Sequence, residues 1–202
     1  MKRSLILCCL TLLLFSGCKQ VLMWRYGIHD PREEKVTSIE KFLITHDFPT
    51  ANVAIFKDST TWNTFLKDSV YQRNILSTMF FSRDGLLDQF KDTSQCQWSG
   101  GYQVRLLRKD TIYHSDTTCQ FAALMSMVKP LTSNTPFDTA GADYYAVITW
   151  GSFLGKYNDR LFGVQDAIAS LQEVRVVPVF LCIDMLKEWN LTKNQVLSFK
   201  DD

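Results

Sequence analysis

Apolar positions along this chain follow two rhythms, and each change of rhythm marks an element. In residues 36–48, Val36, Ile39, Phe42 and Leu43 fall at helical spacing, with the polar Ser38 and Glu40 near the start, which predicts an amphipathic helix. Residues 52–56 form a short apolar run read as a strand. Asp58 or Ser59 then stands where a helix over residues 60–67 needs its cap, with Trp62, Phe65 and Leu66 to bury. Residues 75–81 read as a second strand, turned by Arg83, Asp84 and Gly85 into residues 86–90. Asp-Gly between apolar runs favours a hairpin, because glycine adopts the positive φ that such turns require. A second hairpin is predicted from residues 102–107 and 111–114 around Lys109 and Asp110. Residues 119–128 read as a helix with Phe121, Leu124, Met125 and Val128 on one face, stopped by Pro130. Residues 132–142 are a polar connection containing Pro136 and Gly141.

The pattern is clearest in the last third. Residues 144–150 are apolar and rich in β-branched types, and Ser152 is placed to cap a long helix. Its stripe runs through Leu154, Tyr157, Leu161, Val164, Ile168 and Leu171 in steps of three and four. Gly155 and Gly163 interrupt that stripe; each disfavours helix by about 1 kcal/mol relative to Ala, which points to close packing against a neighbour. Residues 176–183 are almost continuously apolar, the pattern of a strand covered on both faces. Pro178, lacking an N–H, must sit at the start of that strand or at an unpaired edge position. Together these segments predict a β-α-β unit of two parallel strands with a right-handed crossover. The fold class expected for the whole is α/β, a sandwich with this unit at its C-terminal end.

Composition narrows the setting. With 202 residues, 46% hydrophobic and 21% charged, the chain has room for one sizeable core. The expected organisation is a single domain over residues 36–202, in segments 36–131 and 143–202, preceded by a short tether over residues 18–35. The 22 basic and 21 acidic residues are interspersed and leave a net charge of +1, so no basic face offers itself to nucleic acid.

The N-terminus carries an address. Lys2 and Arg3 precede an apolar run from Leu5 to Phe15, about 11 residues against the roughly 20 that cross a bilayer, the profile of a signal peptide over residues 1–17. The run closes on Leu14, Phe15, Ser16, Gly17 and Cys18, which resembles the lipobox of bacterial lipoproteins, with Phe15 where that family usually has Leu. The resemblance implies cleavage before Cys18, a diacylglycerol thioether on its sulfur and an acyl chain on its freed amine. It also implies residence in the cell envelope, attached to the membrane through that lipid. Two or more chains anchor stably because each buried CH2 contributes about 0.8 kcal/mol. Lys19, rather than Asp, resembles the lipoproteins sorted outward to the outer membrane. The alternative is an ordinary secretory signal followed by an incidental cysteine.

That reading sets the thiol accounting. Of six cysteines, Cys8 and Cys9 leave with the signal and Cys18 takes lipid, which leaves Cys96, Cys119 and Cys182. An envelope compartment permits disulfides. Cys96 and Cys119, both in polar surroundings, either pair with each other or stay as thiols; Cys182, inside an apolar run, reads as a small core residue.

Residues 144–190, with their strand, Trp150-Gly151-Ser152, helix and a second strand ending at Asp184, resemble the first half of a thioredoxin-like domain. Small envelope lipoproteins of the Bacteroidetes carry comparable segments, most closely at residues 150–158. The positions that hold cysteines in thioredoxins are Gly151 and Leu154 here, so dithiol exchange is not implied. The strand and hairpin that would complete such a sheet precede this segment instead of following it, which implies a permuted order.

Candidate chemistry is sparse. Gly151, Gly155 and Lys156 fall one residue short of a P-loop, with Tyr157 in place of its Ser or Thr. His29, His46 and His114 are isolated from one another and from metal-ligand spacings. In parallel sheets, ligands gather outside the carboxyl ends of strands, so Trp150, Gly151, Ser152 and Asp184 form the candidate ligand pocket. The expected function is a non-catalytic binding or assembly component of the envelope, with no cofactor or metal. Its alternatives are an enzyme using Cys96 or Cys119 as a reactive thiol and a binder of glycan or another small ligand at Trp150.

Overall fold

The computed structural model describes residues 23–90, 104, 112–132, 137, 140–172 and 174–192. The signal peptide, Cys18, Cys96 and most of residues 102–107 lie outside the described residues. The strands, in chain order, are β1 (Glu33–Glu34), β2 (Val53–Phe56), β3 (Thr78–Ser82), β4 (Leu86–Phe90), β5 (Ile112–Gln120), β6 (Val128–Pro130), β7 (Tyr144–Trp150), β8 (Val176–Cys182) and β9 (Met185–Leu186). The helices are α1 (Val36–Thr45), α2 (Ser59–Lys67), α3 (Ser69–Asn74), α4 (Phe121–Met127), α5 (Tyr157–Phe162) and α6 (Val164–Ala169).

Seven strands form one mixed sheet in the order β5-β4-β3-β7-β8-β2-β6, and β1 pairs with β9 in a separate two-stranded ladder. The centre is parallel, β7 with β8 and β8 with β2, while β3, β4 and β5 on one side and β6 on the other run antiparallel to their neighbours. Strands from residues 53–130 and 144–182 therefore interleave in one sheet. The predicted parallel β-α-β unit is present, with Tyr144 opposite Val176 through to Trp150 opposite Cys182.

Both faces of the central strands are covered. Register and strand alternation put Ile148, Trp150, Phe180 and Val53 on one face. There Trp150 meets Phe42 of α1 and Phe162 of α5, and Phe162 stacks on Phe180. On the opposite face Phe56 meets Phe65 of α2, which stacks on Tyr71 of α3, and Phe121 of α4 packs on Phe81 and Tyr145. The result is an α/β sandwich of three layers. A phenylalanine among these side chains that is fully buried, such as Phe56, Phe65, Phe81 or Phe180, contributes about 1.5–3 kcal/mol.

Local chemistry explains several boundaries. Asp58 accepts from the Thr61 N–H at 2.8 Å while Thr61 Oγ1 accepts from the Asp58 N–H, a reciprocal cap at the start of α2. The contact holds the Asp58 carboxyl below its ordinary pKa. Gly85 supplies φ +78° at the β3–β4 turn. Pro178 lies inside the sheet, yet the Phe180 N–H, two residues on and on the same side, reaches Asn52 just before β2 begins. The proline thus occupies a position with no neighbour to donate to, as its missing N–H requires.

Three expectations are corrected. The long helix after Ser152 is three pieces: a 3-10 turn at Ser152–Leu154, then α5 and α6. Gly155 breaks it at φ +53°, where a Cβ would fall 2.3 Å from the Tyr26 carbonyl oxygen. The 119–128 helix begins only at Phe121, because Cys119 and Gln120 continue β5, and it yields to edge strand β6 before Pro130. β5 pairs with β4; its predicted hairpin partner lies outside the described residues apart from the buried Val104.

The third correction concerns the tether. Residues 23–26 form a helical turn, Tyr26 packs edge-on against Tyr157, and its carbonyl accepts from the Lys156 N–H at 2.7 Å. The His29 N–H reaches the Phe153 carbonyl at 3.0 Å, and Glu33 and Glu34 pair in parallel with Met185 and Leu186. Residues 23–34 are thus a strap bound to the domain.

The close approach at Gly155 gives a direct test. Gly155→Ala forces both an unfavourable φ and a clash with strap backbone, so a loss of about 1–3 kcal/mol is expected. Urea denaturation measures it, and limited proteolysis should show the strap released first. An unchanged midpoint with a protected strap would mean the break at Gly155 has another origin.

Candidate functional site

The carboxyl ends of β7 and β8 do bring Ser152 and Asp184 together. β7 ends on Trp150, Gly151 turns the chain out, and the Ser152 N–H begins the 3-10 turn with no partner inside it. Asp184, two residues beyond β8, supplies one: its Oδ2 lies 2.8 Å and its Oδ1 3.1 Å from that N–H. Ser152 Oγ–H donates to Oδ1 at 3.0 Å, and the Cys182 thiol to Oδ2 at 3.3 Å. Asp184 therefore caps a helical turn from across the sheet. The same edge is pinned again where the Ile183 N–H meets the Trp150 carbonyl, and where Trp62 Nε1–H of α2 donates to the Ile183 carbonyl at 3.1 Å.

Burial decides the electrostatics. Asp184 is 2% exposed, and desolvation pushes its carboxyl up to about 6 in spite of the donors from Ser152 and Cys182, with the Glu34 charge adding to the rise. Removal from water here outweighs three hydrogen bonds. The Cys182 thiol, equally buried and beside Asp184, is driven well above its ordinary value.

The other two pocket residues face inward. Trp150 is fully buried between Phe42 and Phe162, so it presents no surface on which a sugar could stack. Gly151 is buried, and its carbonyl accepts from Nδ2 of Asn158 at 2.9 Å. Ser152 alone of the four is part-exposed. Two residues that sequence reasoning passed over complete the edge. Asn158, completely buried, ties α5 to the end of β7; its signal was a polar residue on the apolar side of a stripe. Glu34 comes close enough for its charge to act on both Asp184 and Cys182.

Cys119 sits apart from this edge, with a free thiol. It is buried at the end of β5, close enough to Tyr71 for the two groups to influence each other's titration. Burial pushes the Cys119 thiol up to about 11 and the Tyr71 phenol up as well. Cys96, its candidate disulfide partner, lies outside the described residues. The histidines are dispersed: His29 Nδ1 lies 2.9 Å from the Asp30 carbonyl and His46 Nδ1 2.9 Å from that of Phe42, while His114 lies on β5. No cluster of metal-ligating side chains occurs among the described residues.

Comparison with protein-family models, with curated proteins and with solved structures finds no significant match. What the site can do is therefore read from its own geometry. It can hold two parallel strands, a helical turn and a strap in one arrangement.

The buried carboxyl predicts a pH signature. Its folded pKa of about 6 stands above the ordinary 3.8, so between these values the folded state binds more protons. This contribution to stability is full below pH 3.8 and is lost as pH rises through 6; the gap amounts to roughly 3 kcal/mol at most. Asp184→Asn keeps an acceptor for Ser152 and removes the desolvated charge. Relative to wild type it should therefore gain stability as pH rises from 4 to 8 in urea titrations. Asp184→Ala removes the acceptor and should lose about 1–3 kcal/mol. A wild-type-to-Asn difference that stays constant across that range would refute the assignment.

Proposed function

We propose that this protein is a lipid-anchored component of a bacterial cell envelope, held by acyl chains on Cys18, whose folded part is a non-catalytic binding or assembly module. The anchor rests on the run of residues 2–18, in which a basic start and a short apolar stretch end on Ser16-Gly17-Cys18. No helix among the described residues is long and apolar enough to cross a membrane.

The non-catalytic half is supported by the state of the thiols. A nucleophilic cysteine needs a depressed pKa and access to solvent. Cys119 and Cys182 have the reverse, burial and a raised pKa. Asp184, the other strongly shifted acid, uses its oxygens to cap a turn. A permuted thioredoxin-like ancestry is the fold reading proposed with this function. The parallel pair β7–β8 with the β3–β4 hairpin running antiparallel beside β7 is the strand order it calls for.

Two measurements test the proposal. Palmitate should label the wild-type chain in a bacterial host and leave Cys18→Ser unlabelled; an unlabelled wild type would remove the anchor. Alkylation of Cys119 in the folded protein at pH 8 should be slower than in the unfolded chain by at least the roughly 100-fold loss of thiolate that a pKa near 11 implies. Faster alkylation in the folded state would favour the thiol enzyme instead.

A further inference from the structure

Among the described residues, two large hydrophobic side chains are strongly exposed, Trp24 at 86% and Ile44 at 71%. An isolated exposed hydrophobe needs no explanation in itself. Trp24 differs because of where the chain places it. Six residue steps separate it from Cys18, and six steps of extended chain reach about 20 Å at most.

The turn around Trp24 is fixed to the domain. The Ile28 N–H closes on the Met23 carbonyl at 2.8 Å. Tyr26 faces inward, packed on Tyr157, with the Arg160 guanidinium 5.0 Å from its ring centroid. Two residues along a helix point roughly 200° apart, so the contact that packs Tyr26 on Tyr157 turns Trp24 away from the protein. Its neighbour in sequence, Arg25, is exposed, and the exposed cations Lys156 and Arg160 lie on the Tyr26 side of the turn, with the exposed Asp159 beside them on α5. An outward indole on a turn that carries exposed basic residues matches the headgroup layer of a bilayer, where tryptophan's apolar ring and N–H are both accommodated and phosphates meet the basic side chains.

We propose that Trp24, with the turn of residues 23–26, is a membrane-contact element that seats in the headgroup region of the bilayer carrying the lipid on Cys18. The inference rests on the lipid-anchor reading and deepens it. Because the turn is joined to α5 through Tyr26 and Lys156, inserting Trp24 orients the whole sandwich on the membrane. The indole supplements the acyl chains and does not replace them, so a chain lacking the Cys18 lipid should not bind vesicles.

The test uses the lipidated full-length mature protein in vesicles of phosphatidylethanolamine and phosphatidylglycerol, with and without brominated acyl chains. Trp62 and Trp150 are buried, and the difference between wild type and Trp24→Phe isolates the remaining contribution of Trp24. The expected result is a blue-shifted Trp24 component that brominated lipid quenches, with most of the wild-type quenching lost in Trp24→Phe. Equal quenching of the two proteins, both carrying palmitate and both sedimenting with the vesicles, would overturn the contact while leaving the anchor intact. Absence of palmitate and of vesicle binding in the wild type would overturn the anchor, and the contact with it.

Discussion

The parallel pairing of β7 with β8, locked at its carboxyl end by Asp184, is the constraint on which the rest of the structure depends. The two strands are in register along their whole length and are covered on both faces. Every backbone group where they end must therefore find a partner inside the protein. Asp184 gives one to Ser152, Trp62 gives one to Ile183, and Asn158 gives one to Gly151. These three side chains come from a loop beyond β8, from α2 and from α5. Closing the strand ends thus also fixes both helical layers to the sheet.

The sequence made much of this legible for a physical reason. Strands buried on both faces, such as β2 and β8, must be continuously apolar. α1 and α2 carry apolar stripes, α2 also a recognisable cap in Asp58, and Asp84-Gly85 marks a turn by its backbone requirement. Where reading failed, the deciding interaction left no apolar trace. The stripe from Leu154 to Leu171 reports which residues are buried, and it survives a break in the helix as readily as its continuation. Gly155 reads as a packing residue, but its partner, the Tyr26 carbonyl, lies more than a hundred residues away in a segment whose sequence reads as a tether. Glu33 and Glu34 are polar and join Met185 and Leu186 through backbone alone, which no hydrophobic pattern encodes. The candidate site was legible in its location and in the Ser152–Asp184 pair. It was not legible in its use, because Trp150 reads alike whether its ring faces solvent or, as here, the core.

These observations bear on function by showing how the conspicuous groups are employed. A buried acid, two buried thiols and an indole at a strand end resemble, one by one, the parts of an active site. Here the acid caps a turn, the thiols are held protonated and the indole fills the core. The strap that leads from the proposed lipid site is woven into the same edge, beside Asp184. The strap and the closure of the sheet are thereby parts of one arrangement.

That closure can be observed residue by residue through native-state amide hydrogen exchange. The Ser152 amide reports the bond to Asp184, and the Lys156 amide reports the bond to Tyr26 of the strap. If the edge is closed as described, both should exchange as slowly as central strand amides such as Val147 and Phe180, opening only with the global transition. Rapid exchange at Ser152 and Lys156 while those strand amides stay protected would mean that the strand ends open independently, and would contradict the account.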